Sequence, residues 1–376
     1  MAVWRDTFAP YSETFIWDEL RHHLRYDATV FAWERLNADR FPWDDVVTFD
    51  GASRLGRLEQ AVYRGVGLSP RFALAVRRGR YDLVHAHFGT AGVRALPYIE
   101  MQRLPLITMF HGGDLSRLAG PAAREPHNWL LAAAAPRLFR RSAVILAASE
   151  DLRRNLLEAG CASAKVRVFR LGIDLTQFVP VQRGPNPAGL HVVMVGRLVP
   201  KKGFDDGLRA LGRHRHVPFT VTIVGDGPLR AYLEAVAKQV AIADRVRFAG
   251  AVTHAEVKRK LASADLVVAP SVVTPSGDRD SGLIVLKEAA ATGVPAVGTL
   301  HGGLPEIIED EETGYLVPEH DVEALADRIG RLLHDDQRRG TMGRAARAKM
   351  EREYDIRERV AALEDLYDEV VDRHAR

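Results

Sequence analysis

The sequence predicts an α/β protein built from two doubly wound parallel sheets. Short runs rich in valine, isoleucine and leucine alternate with amphipathic helical stretches along the chain, and this alternation is typical of parallel sheets that helices cover on both faces. Residues 179–190 contain three prolines and no apolar periodicity, which indicates a loop or linker. The 376 residues are enough for one domain on each side of this linker.

The apolar runs and the helical periodicity predict the elements in order. Strands are predicted at 81–87, 104–110, 143–149, 166–172, 191–197, 219–227, 246–250, 264–271, 294–299 and 314–318. Helices are predicted at 205–213, 228–241, 254–263, 284–292, 321–334 and 338–352, and a long amphipathic helix with Val360, Leu363, Leu366 and Val370 on one face ends the chain. Only Met1 to about Arg5 are left for a first strand, so either this strand is short or the start of the protein lies upstream.

Composition narrows the class of protein. No apolar run approaches the ~20 residues that a membrane-spanning helix needs. Residues 1–20 lack the basic start, the apolar core and the small-residue cleavage site of a signal peptide. The single cysteine, Cys161, excludes an internal disulfide and fits a reducing compartment. We therefore expect a cytoplasmic protein.

The net charge of +3 is unevenly distributed along the chain. Residues 1–173 contain 24 Lys and Arg against 18 Asp and Glu, whereas the remainder contains 28 against 31. Either the composition is simply rich in arginine, or the first half faces an anionic partner such as a phospholipid surface or a phosphate-bearing acceptor. No basic run interleaved with aromatic residues is present, so nucleic acid is not an expected partner. The sequence leaves the oligomeric state open.

Cations and glycines follow the predicted strands of the second half. Arg197 and Lys202 come at the carboxyl end of one strand, where two cations suit the charge of a pyrophosphate, although solvated surface cations would have the same pattern. Gly225 and Gly227 lie in "VGDGPLR". This stretch lacks the third glycine and the later acid of a dinucleotide fingerprint, which argues against a dehydrogenase.

Two carboxylates lie around the start of a predicted helix. Ser281 and Gly282 lie at the amino end of this helix, where unpaired N–H groups and the helix dipole stabilise phosphate oxygens. Asp280 precedes it and points at whatever the phosphate carries. Glu288 lies about a turn and a half inside, where a carboxylate can accept two ribose hydroxyl hydrogens. A sugar nucleotide has these parts in this order, although either acid alone is equally consistent with a solvated surface residue.

Together these loops resemble the retaining family-4 glycosyltransferases of the GT-B fold. In the second half "GRLVPKKG", "VGDGPL", "APS" and "SGLIVLKEAAATGVPAVGTLHGGLPEII...GYLVP" fall in the family's order. In the first half "YSETFI", "VHAHFG" and "TMFHGGDL" are similar to its exopolysaccharide- and lipopolysaccharide-type group 1 members. The resemblance implies two Rossmann-like domains that face a cleft, 1–174 on the acceptor side and 190–355 for the nucleotide sugar. It also implies that a terminal helix, 356–376, crosses back to the first domain.

The resemblance assigns donor-binding roles residue by residue. It implies that Arg197 and Lys202 bind the donor diphosphate, that Glu288 holds the ribose, and that Asp280 holds hydroxyls of the donor sugar. The backbone of Ser281, Gly282 and Leu283, together with Gly225 and Gly227, would complete the donor site. The family usually has glutamate in the first acidic position, so Asp280 reaches one methylene less far.

The first half carries the acceptor-side candidates. The resemblance implies that His111, in "HGGD", lies across the cleft near the transferred sugar, and that Ser12, Gly112, Gly113 and Asp114 belong to the acceptor side. Ser12 is also well placed as a helix N-cap.

The histidines of "VHAHF", His85 and His87, are expected to lie on opposite faces of their strand and to be structural.

The sequence therefore predicts a retaining glycosyltransferase that moves a hexosyl unit from a nucleotide diphosphate sugar to a hydroxyl acceptor. The acceptor would be a glycan, a glycolipid or a small molecule in cell-surface polysaccharide or glycoconjugate biosynthesis. No cofactor and no metal are expected, because cations and a helix end meet the diphosphate. Peripheral contact with an anionic membrane through arginines such as Arg77, Arg78 and Arg80 is a further hypothesis.

Three alternatives remain open from the sequence. A sugar-nucleotide epimerase of the same architecture would need no acceptor. A metal-dependent GT-A transferase would use the Asp-x-Asp tripeptide at 278–280 to hold a divalent ion. A non-catalytic sugar-nucleotide-binding protein would bind the donor without turnover.

Overall fold

The computed structural model describes residues 1–10, 13–181, 189–275, 277–280 and 283–376. It divides into two units. The first comprises Met1–Gly172 together with Ile356–Arg376, and the second comprises Ile173–Asp355. Each unit has one parallel sheet with helices on both faces, so the predicted class of two doubly wound α/β sheets is confirmed. Of the predicted linker, residues 182–188 lie outside the described residues.

The first unit has a seven-stranded sheet. Its strands are β1 (Ala2–Phe8), β2 (Thr29–Arg35), β3 (Val46–Val47), β4 (Val84–His87), β5 (Leu106–Phe110), β6 (Ser142–Ala147) and β7 (Val166–Val168). They lie in the order β3-β2-β1-β4-β5-β6-β7 with every neighbouring pair parallel. β1 continues to Phe8, beyond its expected end at about Arg5, and β2 and β3 are absent from the predicted elements.

Among the described residues before the linker, seven α-helices accompany this sheet. They are α1 (Thr14–Leu20), α2 (Arg54–Val66), α3 (Pro70–Arg78), α4 (Gly89–Gln102), α5 (Gly113–Ala119), α6 (Trp129–Arg141) and α7 (Glu150–Glu158). A serine caps the amino end of α2, α3 and α7. The side chains of Ser53, Ser69 and Ser149 each accept a hydrogen bond from an N–H group in the first turn of the helix. α1 begins instead after Glu13, without a side-chain cap. Ser12 lies outside the described residues.

The second unit has a six-stranded sheet in the order β10-β9-β8-β11-β12-β13. Its strands are β8 (Leu190–Val195), β9 (Phe219–Val224), β10 (Val246–Gly250), β11 (Leu266–Ala269), β12 (Ala296–Thr299) and β13 (Gly314–Val317). Its helices are α8 (Phe204–Gly212), α9 (Arg230–Gln239), α10 (His254–Ala262), α11 (Ile284–Ala291), α12 (Leu304–Ile307), α13 (Val322–His334) and α14 (Asp336–Glu353). Neighbouring strands are again parallel.

The core of the second unit lies on both faces of its sheet. Val192 and Met194 of β8 pack into one apolar cluster, and Val193, between them, packs into another. Successive side chains of a strand point to opposite faces, so a central strand with apolar residues on both sides must be covered twice. This double burial explains why the strands are continuous apolar runs in the sequence.

The terminal helix α15 (Ile356–Ala375) belongs to the first unit. The apolar stripe expected on this helix, at Val360, Leu363, Leu366 and Val370, is buried. Glu364, on the same helix, is 2% exposed, and its Oε1 accepts hydrogen bonds from the backbone N–H groups of Leu24 at 2.9 Å and Arg25 at 2.7 Å. These N–H groups outweigh burial, which by itself raises a carboxyl pKa, and the pKa of Glu364 is lowered. Across the described segments, no helix combines the length and the apolar composition needed to cross a bilayer.

We expect Glu364→Ala to destabilise the first unit by about 2 kcal/mol, because it removes the acceptor of two backbone N–H groups. Glu364→Gln, which keeps one acceptor oxygen, should lose less. The midpoint of urea unfolding measures both effects. Asp365→Ala is the matched control, because the Asp365 side chain is 75% exposed and pairs with Arg25 at the surface. Equal losses for Glu364→Ala and Asp365→Ala would contradict this account.

Candidate active site

In the second sheet, the loops after β8 and β11 lie where α/β sheets bind ligands. The chain runs from β8 outward to β10, then returns to β11 on the other side of β8. In such sheets, ligands bind outside the carboxyl ends of the strands where the strand order reverses. The loop after β8 contains Arg197 and Lys202, and the loop after β11 contains Asp280. Three predicted site residues therefore come from the two loops at this reversal.

Glycines support the loop after β8. A side chain on Gly225 would place its Cβ 1.9 Å from the carbonyl oxygen of Gly196, and one on Gly227 would lie 2.6 Å from the carbonyl oxygen of Leu198. Gly225 also has a φ of +129°, which residues with side chains rarely adopt. Both predicted donor-site glycines thus allow two loop backbones to pack together.

Two lysines and two aspartates form a charged cluster beside these loops. Lys202 Nζ lies 2.8 Å from Oδ2 of Asp280, and Lys201 Nζ lies 3.0 Å from Oδ1 of Asp278. Both lysines are only 9% exposed. Burial raises the pKa of the Asp280 carboxyl, but the charges of Lys202 and Lys201 outweigh burial and lower it below its ordinary value. The structure therefore brings Lys202 and Asp280 together and adds Lys201, which is absent from the predicted site.

The ion pairs of Lys201 and Lys202 also test the alternative of a divalent metal ion at the Asp-x-Asp tripeptide, 278–280. The carboxylates of Asp278 and Asp280 each pair with a lysine ammonium. A divalent ion at this tripeptide would have to compete with positive charge that the protein already supplies. This geometry argues against the metal-dependent interpretation of 278–280.

A buried histidine holds the backbone of Asp280. The backbone N–H of Asp280 donates to His301 Nε2 at 3.0 Å, and His301 Nδ1 lies 2.7 Å from Oε1 of Glu319. Because Nε2 accepts a hydrogen bond, the proton of the neutral ring is on Nδ1, where Glu319 accepts it. The other oxygen of Glu319 accepts the backbone N–H of Val273 at 2.8 Å. His301 and Glu319 are site residues that the sequence reasoning missed, since neither residue type alone signals this contact.

Glu288 lies within helix α11 and is 5% exposed. Its Oε1 lies 2.7 Å from Nε2 of His254, the first residue of α10. His254 is therefore another candidate missing from the sequence prediction. Leu283 caps the helix through its backbone, and its side chain packs into the core. Ser281 and Gly282 lie outside the described residues.

Arg197 differs from the lysines because its side chain is exposed. Within the described ranges it makes no ion pair. The structure thus places one predicted diphosphate ligand in a buried cluster and the other in solvent.

In the first unit, Asp114 clamps the loop that contains His111. Its carboxylate accepts hydrogen bonds from the backbone N–H groups of Gly89 at 2.8 Å, Gly112 at 2.8 Å and His111 at 3.1 Å. Burial raises the pKa of Asp114 despite these donors. Gly112 and Gly113 form the turn into α5. Asp114, predicted on the acceptor side, is buried, and its contacts are with this backbone.

Aromatic rings surround His111. Its ring centroid lies 4.4 Å from that of Phe88 and 5.0 Å from that of Phe15. Phe88 has a φ of +76°, which is a strained conformation for a bulky residue. The guanidinium of Arg5, 3.9 Å above the Phe88 ring, and its ion pair with Glu13 hold this arrangement. Backbone strain of this kind concentrates at functional sites, which favours the prediction for His111.

The expectation that His85 and His87 lie on opposite strand faces is wrong. Residues two apart in a strand point to the same face, and the two ring centroids are 4.2 Å apart. His87 Nδ1 lies 3.4 Å from His111 Nε2, and His87 Nε2 lies 3.2 Å from Oε1 of Glu19. His85 Nδ1 lies 2.6 Å from the hydroxyl oxygen of Tyr367 on α15. Buried polar side chains therefore lie in contact from His111 to the terminal helix, with hydrogen bonds at the two ends, His87 with His111 and His85 with Tyr367, and ring contact between His85 and His87.

Two doubly wound parallel sheets, with charged and polar loops at the carboxyl ends of their strands, are the architecture of the GT-B class. Residues 18–177 match the family described as Glycosyltransferase Family 4, and residues 180–349 match the family described as Glycosyl transferases group 1. The chain belongs to the group 1 glycosyltransferases and is an enzyme of that family.

Several named proteins are similar over most of the chain. WcaL of Escherichia coli (strain K12), named for colanic acid biosynthesis, is 35% identical over 73% of this chain and 67% of its own length. The amylovoran biosynthesis glycosyltransferase AmsK of Erwinia amylovora is 34% identical over 73% of this chain and 66% of its own. The chain thus spans about two thirds of the length of these two relatives. A GDP-mannose-dependent alpha-(1-6)-phosphatidylinositol monomannoside mannosyltransferase of Mycolicibacterium smegmatis is 30% identical over 95% of this chain and 93% of its own.

Solved structures agree on the fold. HepE of Anabaena, crystallised in complex with UDP, has a TM-score of 0.77 and 21% identity, and the match covers 98% of this chain and 99% of that one. WaaG, a glycosyltransferase involved in lipopolysaccharide biosynthesis, has a TM-score of 0.68 and 16% identity over 96% and 98% of the two chains. The predicted GT-B fold is therefore confirmed.

We expect the first unit to lose stability as the pH falls from 6.5 toward 3, because of its buried imidazoles. Burial, together with the charges of Arg5 and His23, lowers the pKa of His87 from 6.5 to about 3, and burial also lowers the pKa of His85. A histidine whose pKa is lowered in the folded state binds fewer protons there than in the unfolded chain. Its contribution to the free energy of unfolding is therefore complete above pH 6.5 and is lost as the pH falls below 6.5. Glu19 acts in the opposite sense, since burial raises its pKa.

The thermal unfolding midpoint, measured across this range, tests the expectation. In the His87→Asn variant the unfolding midpoint should depend less on pH than in the unsubstituted protein. Surface groups such as Arg25 are the same in both proteins, so the difference between them reports on His87. An unfolding midpoint that stays constant or rises on acidification in the unsubstituted protein would contradict the expectation.

Proposed function

We propose that this enzyme transfers a hexosyl unit from a nucleotide diphosphate sugar to a hydroxyl acceptor with retention at the anomeric carbon. The bond between the anomeric carbon and the phosphate oxygen breaks, and the acceptor oxygen bonds to the same face of that carbon. The acceptor proton passes to the leaving diphosphate. No nucleophilic side chain is needed, so the residues of the protein act by positioning and by electrostatic stabilisation of the leaving group.

One observation carries this proposal, namely the lysine–aspartate cluster at the strand-order reversal. Ammonium groups are rarely buried, because desolvation of a charge is costly. Lys201 and Lys202 are nevertheless only 9% exposed, in the loop after β8 at the sheet edge where α/β proteins bind ligands. In the free protein, Asp278 and Asp280 neutralise them. A diphosphate would replace the aspartates as the partner of the lysines, and Arg197, which is exposed, would add a third cation.

The roles within the donor site follow from these contacts. Glu288, oriented by His254, would accept the ribose hydroxyls. Asp280, oriented by His301 and Ser271 and released from Lys202, would turn to the sugar hydroxyls. In the first unit, His111 would act near the transferred sugar within the loop that Asp114 fixes.

The relatives support the chemical class of the substrates. HepE structures contain UDP and UDP-glucose, and WcaL and AmsK are named for exopolysaccharides. The mannosyltransferase relative is named for a lipid acceptor and GDP-mannose. We therefore propose a cytoplasmic enzyme of cell-surface glycan or glycoconjugate synthesis, whose acceptor lies at the inner face of the membrane.

The donor and the metal requirement are tested together. The protein is screened by thermal shift against UDP-, GDP- and ADP-hexoses, and the best binder is then used in turnover with and without EDTA. At ~100-fold excess over its Kd, a specific donor should stabilise the folded state by about 2.7 kcal/mol. We expect EDTA to leave activity unchanged, because Lys201, Lys202 and Arg197 supply the positive charge.

Two outcomes would contradict the proposal. Loss of activity in EDTA that Mn²⁺ or Mg²⁺ restores would return the Asp278 and Asp280 tripeptide to a metal role. Release of an altered sugar nucleotide in the absence of any acceptor would identify an epimerase instead.

Substitution of Glu288 and of Asp280 should distinguish recognition of the nucleotide from recognition of the sugar. Glu288→Ala should weaken free nucleoside diphosphate and sugar nucleotide alike, by roughly tenfold or more, because a charge-assisted hydrogen bond to the ribose is lost. Asp280→Ala should mainly reduce turnover, and it should not weaken binding of the free nucleotide, because the diphosphate then no longer competes with Asp280 for Lys202. Isothermal titration with the nucleoside diphosphate measures the first effect. Glu312→Ala, at an exposed position, is the control for removal of a carboxylate, and equal weakening by the two site variants would overturn this division.

A further inference from the structure

Three histidines of the second unit form a cluster outside the candidate active site. His214 and His216 lie in the turn that follows α8, and His334 is the last residue of α13. One ring nitrogen of each histidine lies within 4.8 Å of those of the other two. The ring centroid of His214 is 6.1 Å from that of His216 and 6.5 Å from that of His334. Imidazole nitrogens suit zinc, copper and nickel ions, so a metal site is one explanation of the cluster.

The topology of the second sheet explains why these histidines meet. The turn after α8 leads into the amino end of β9, and α13 packs against α8 and ends beside the same turn. α8 begins directly after Lys202 and is nine residues long, which corresponds to about 13 Å of helix. The histidines therefore lie at the amino edge of the sheet, and the predicted donor residues lie at its carboxyl edge.

The ring of His214 is held in one orientation. Its Nε2 lies 2.8 Å from the carbonyl oxygen of Ala326. A carbonyl oxygen can only accept, so Nε2 carries the proton of the neutral ring and Nδ1 keeps a lone pair. Histidines that bind metals usually donate their second N–H to a carbonyl or a carboxylate, because this bond fixes the tautomer and the plane of the ring. Nδ1 of His214 is therefore available for a cation.

Helix α13 leaves room for this ring at Gly330. A Cβ on Gly330 would lie 2.5 Å from Cε1 of His214, closer than two carbon atoms approach without a bond. Glycine inside a helix is less stable than alanine, and here it lets an imidazole lie against the helix backbone. Ala326, Gly330 and His334 are spaced by four residues, so they share one side of α13. The carbonyl that fixes the ring, the gap that receives it and the third histidine thus lie along one side of the helix.

The other two rings can move toward His214. His216 and His334 are exposed, and among the described residues their side chains form no hydrogen bond or ion pair. Nitrogens bound to one tetrahedral zinc ion are about 3.4 Å apart, because each Zn–N bond is about 2.1 Å long. Rotation of the two exposed side chains can bring the nitrogens to this separation while His214 stays in place. Two helices also end here, and the carbonyl groups at their carboxyl ends favour a cation.

We propose that His214, His216 and His334 bind one Zn²⁺ ion, with water in the fourth position of the tetrahedron. Three histidines and one open position form a ligand set that zinc accepts. The ion joins the turn after α8 to the end of α13, and it stabilises the second unit because it binds the folded arrangement of the three ligands. Arg215, between two of the ligands, is exposed, so water and salt screen its charge from the ion.

This zinc site does not rest on the proposed transfer reaction. None of its three ligands belongs to the candidate active site, and the ion would lie at the other end of α8 from Lys202. Zinc binding is measured without a sugar nucleotide, so failure to bind zinc and failure to transfer a sugar are separate results.

Zinc titration of the metal-free full chain tests the proposal. By competition with a chromogenic chelator, we expect saturable binding of Zn²⁺ to the cluster, and Co²⁺ in its place should give the visible absorption of a tetrahedral complex. Zn²⁺ should also raise the thermal unfolding midpoint of the unsubstituted protein and not that of His334→Ala.

Variants separate the cluster from ordinary surface histidines. His216→Ala and His334→Ala should each weaken Zn²⁺ binding by about 100-fold, because a lost ligand costs at least as much as a lost partner that orients a ligand. Gly330→Ala, which keeps all three histidines, should weaken binding by about tenfold, because its Cβ displaces the ring of His214. His127→Ala is the matched control, because this side chain is 74% exposed and lies in the first unit.

Chemical protection locates the ion without any substitution. Diethyl pyrocarbonate modifies exposed imidazoles, and peptide mass spectrometry identifies the modified residues. Zn²⁺ should protect His216 and His334 and leave His127 reactive. Four results would overturn the proposal: no saturable zinc binding, an unfolding midpoint that Zn²⁺ leaves unchanged, equal weakening by His334→Ala and His127→Ala, or equal protection of His334 and His127.

Discussion

The parallel pairing of strands, with one reversal of strand order in each sheet, is the constraint on which the rest of the structure depends. Parallel strands bring all their carboxyl ends to one edge, and a reversal leaves two neighbouring loops that diverge there. In the second unit the reversal between β8 and β11 places the loop of Lys202 beside the loop of Asp280. In the first unit the reversal lies between β1 and β4, and the loop after β4 contacts His111 through Phe88. Residues distant in sequence meet because the order of the strands requires it.

Buried charge at these edges is tolerated because each charged group has a partner. Asp280 meets Lys202 and Lys201, and its backbone meets His301. A buried ion pair adds little net stability, because the desolvation of both charges offsets their attraction. Such a cluster is better explained by a ligand that exchanges partners with it than by a contribution to folding. The same reasoning fits Arg197, which is exposed and makes no ion pair with any residue that the structure describes.

Sequence periodicity predicted the strands of the second unit well, because both faces of that sheet are buried and the apolar runs are continuous. It missed β2 and β3 and the helices of the first half, although α2 has distinct polar and apolar sides. The aliphatic residues of α2 are exposed and do not face the core. The sequence motifs correctly predicted that Lys202 and Asp280 lie at the same edge of the second sheet. Motifs identify individual residues, however, and not the contacts that these residues make across the fold. Lys201, His254 and His301 belong to the site through contacts across the fold, and no local pattern indicates such contacts. His85 and His87 show a simpler error, since a period of two puts both on one face.

The two units differ in how they carry polar groups into the interior. The second unit keeps charges and balances them, with lysine against aspartate. The first unit keeps its buried histidines neutral, because desolvation lowers the pKa of His85 and His87 while it raises that of Glu19. His87 is one of these neutral imidazoles, and its Nδ1 lies 3.4 Å from Nε2 of His111, so it orients the His111 ring without adding a charge of its own. A charged cluster suits a diphosphate that brings its own charge, and a neutral histidine pair suits a hydroxyl acceptor that brings none. The electrostatics of each unit therefore match the substrate group proposed for it.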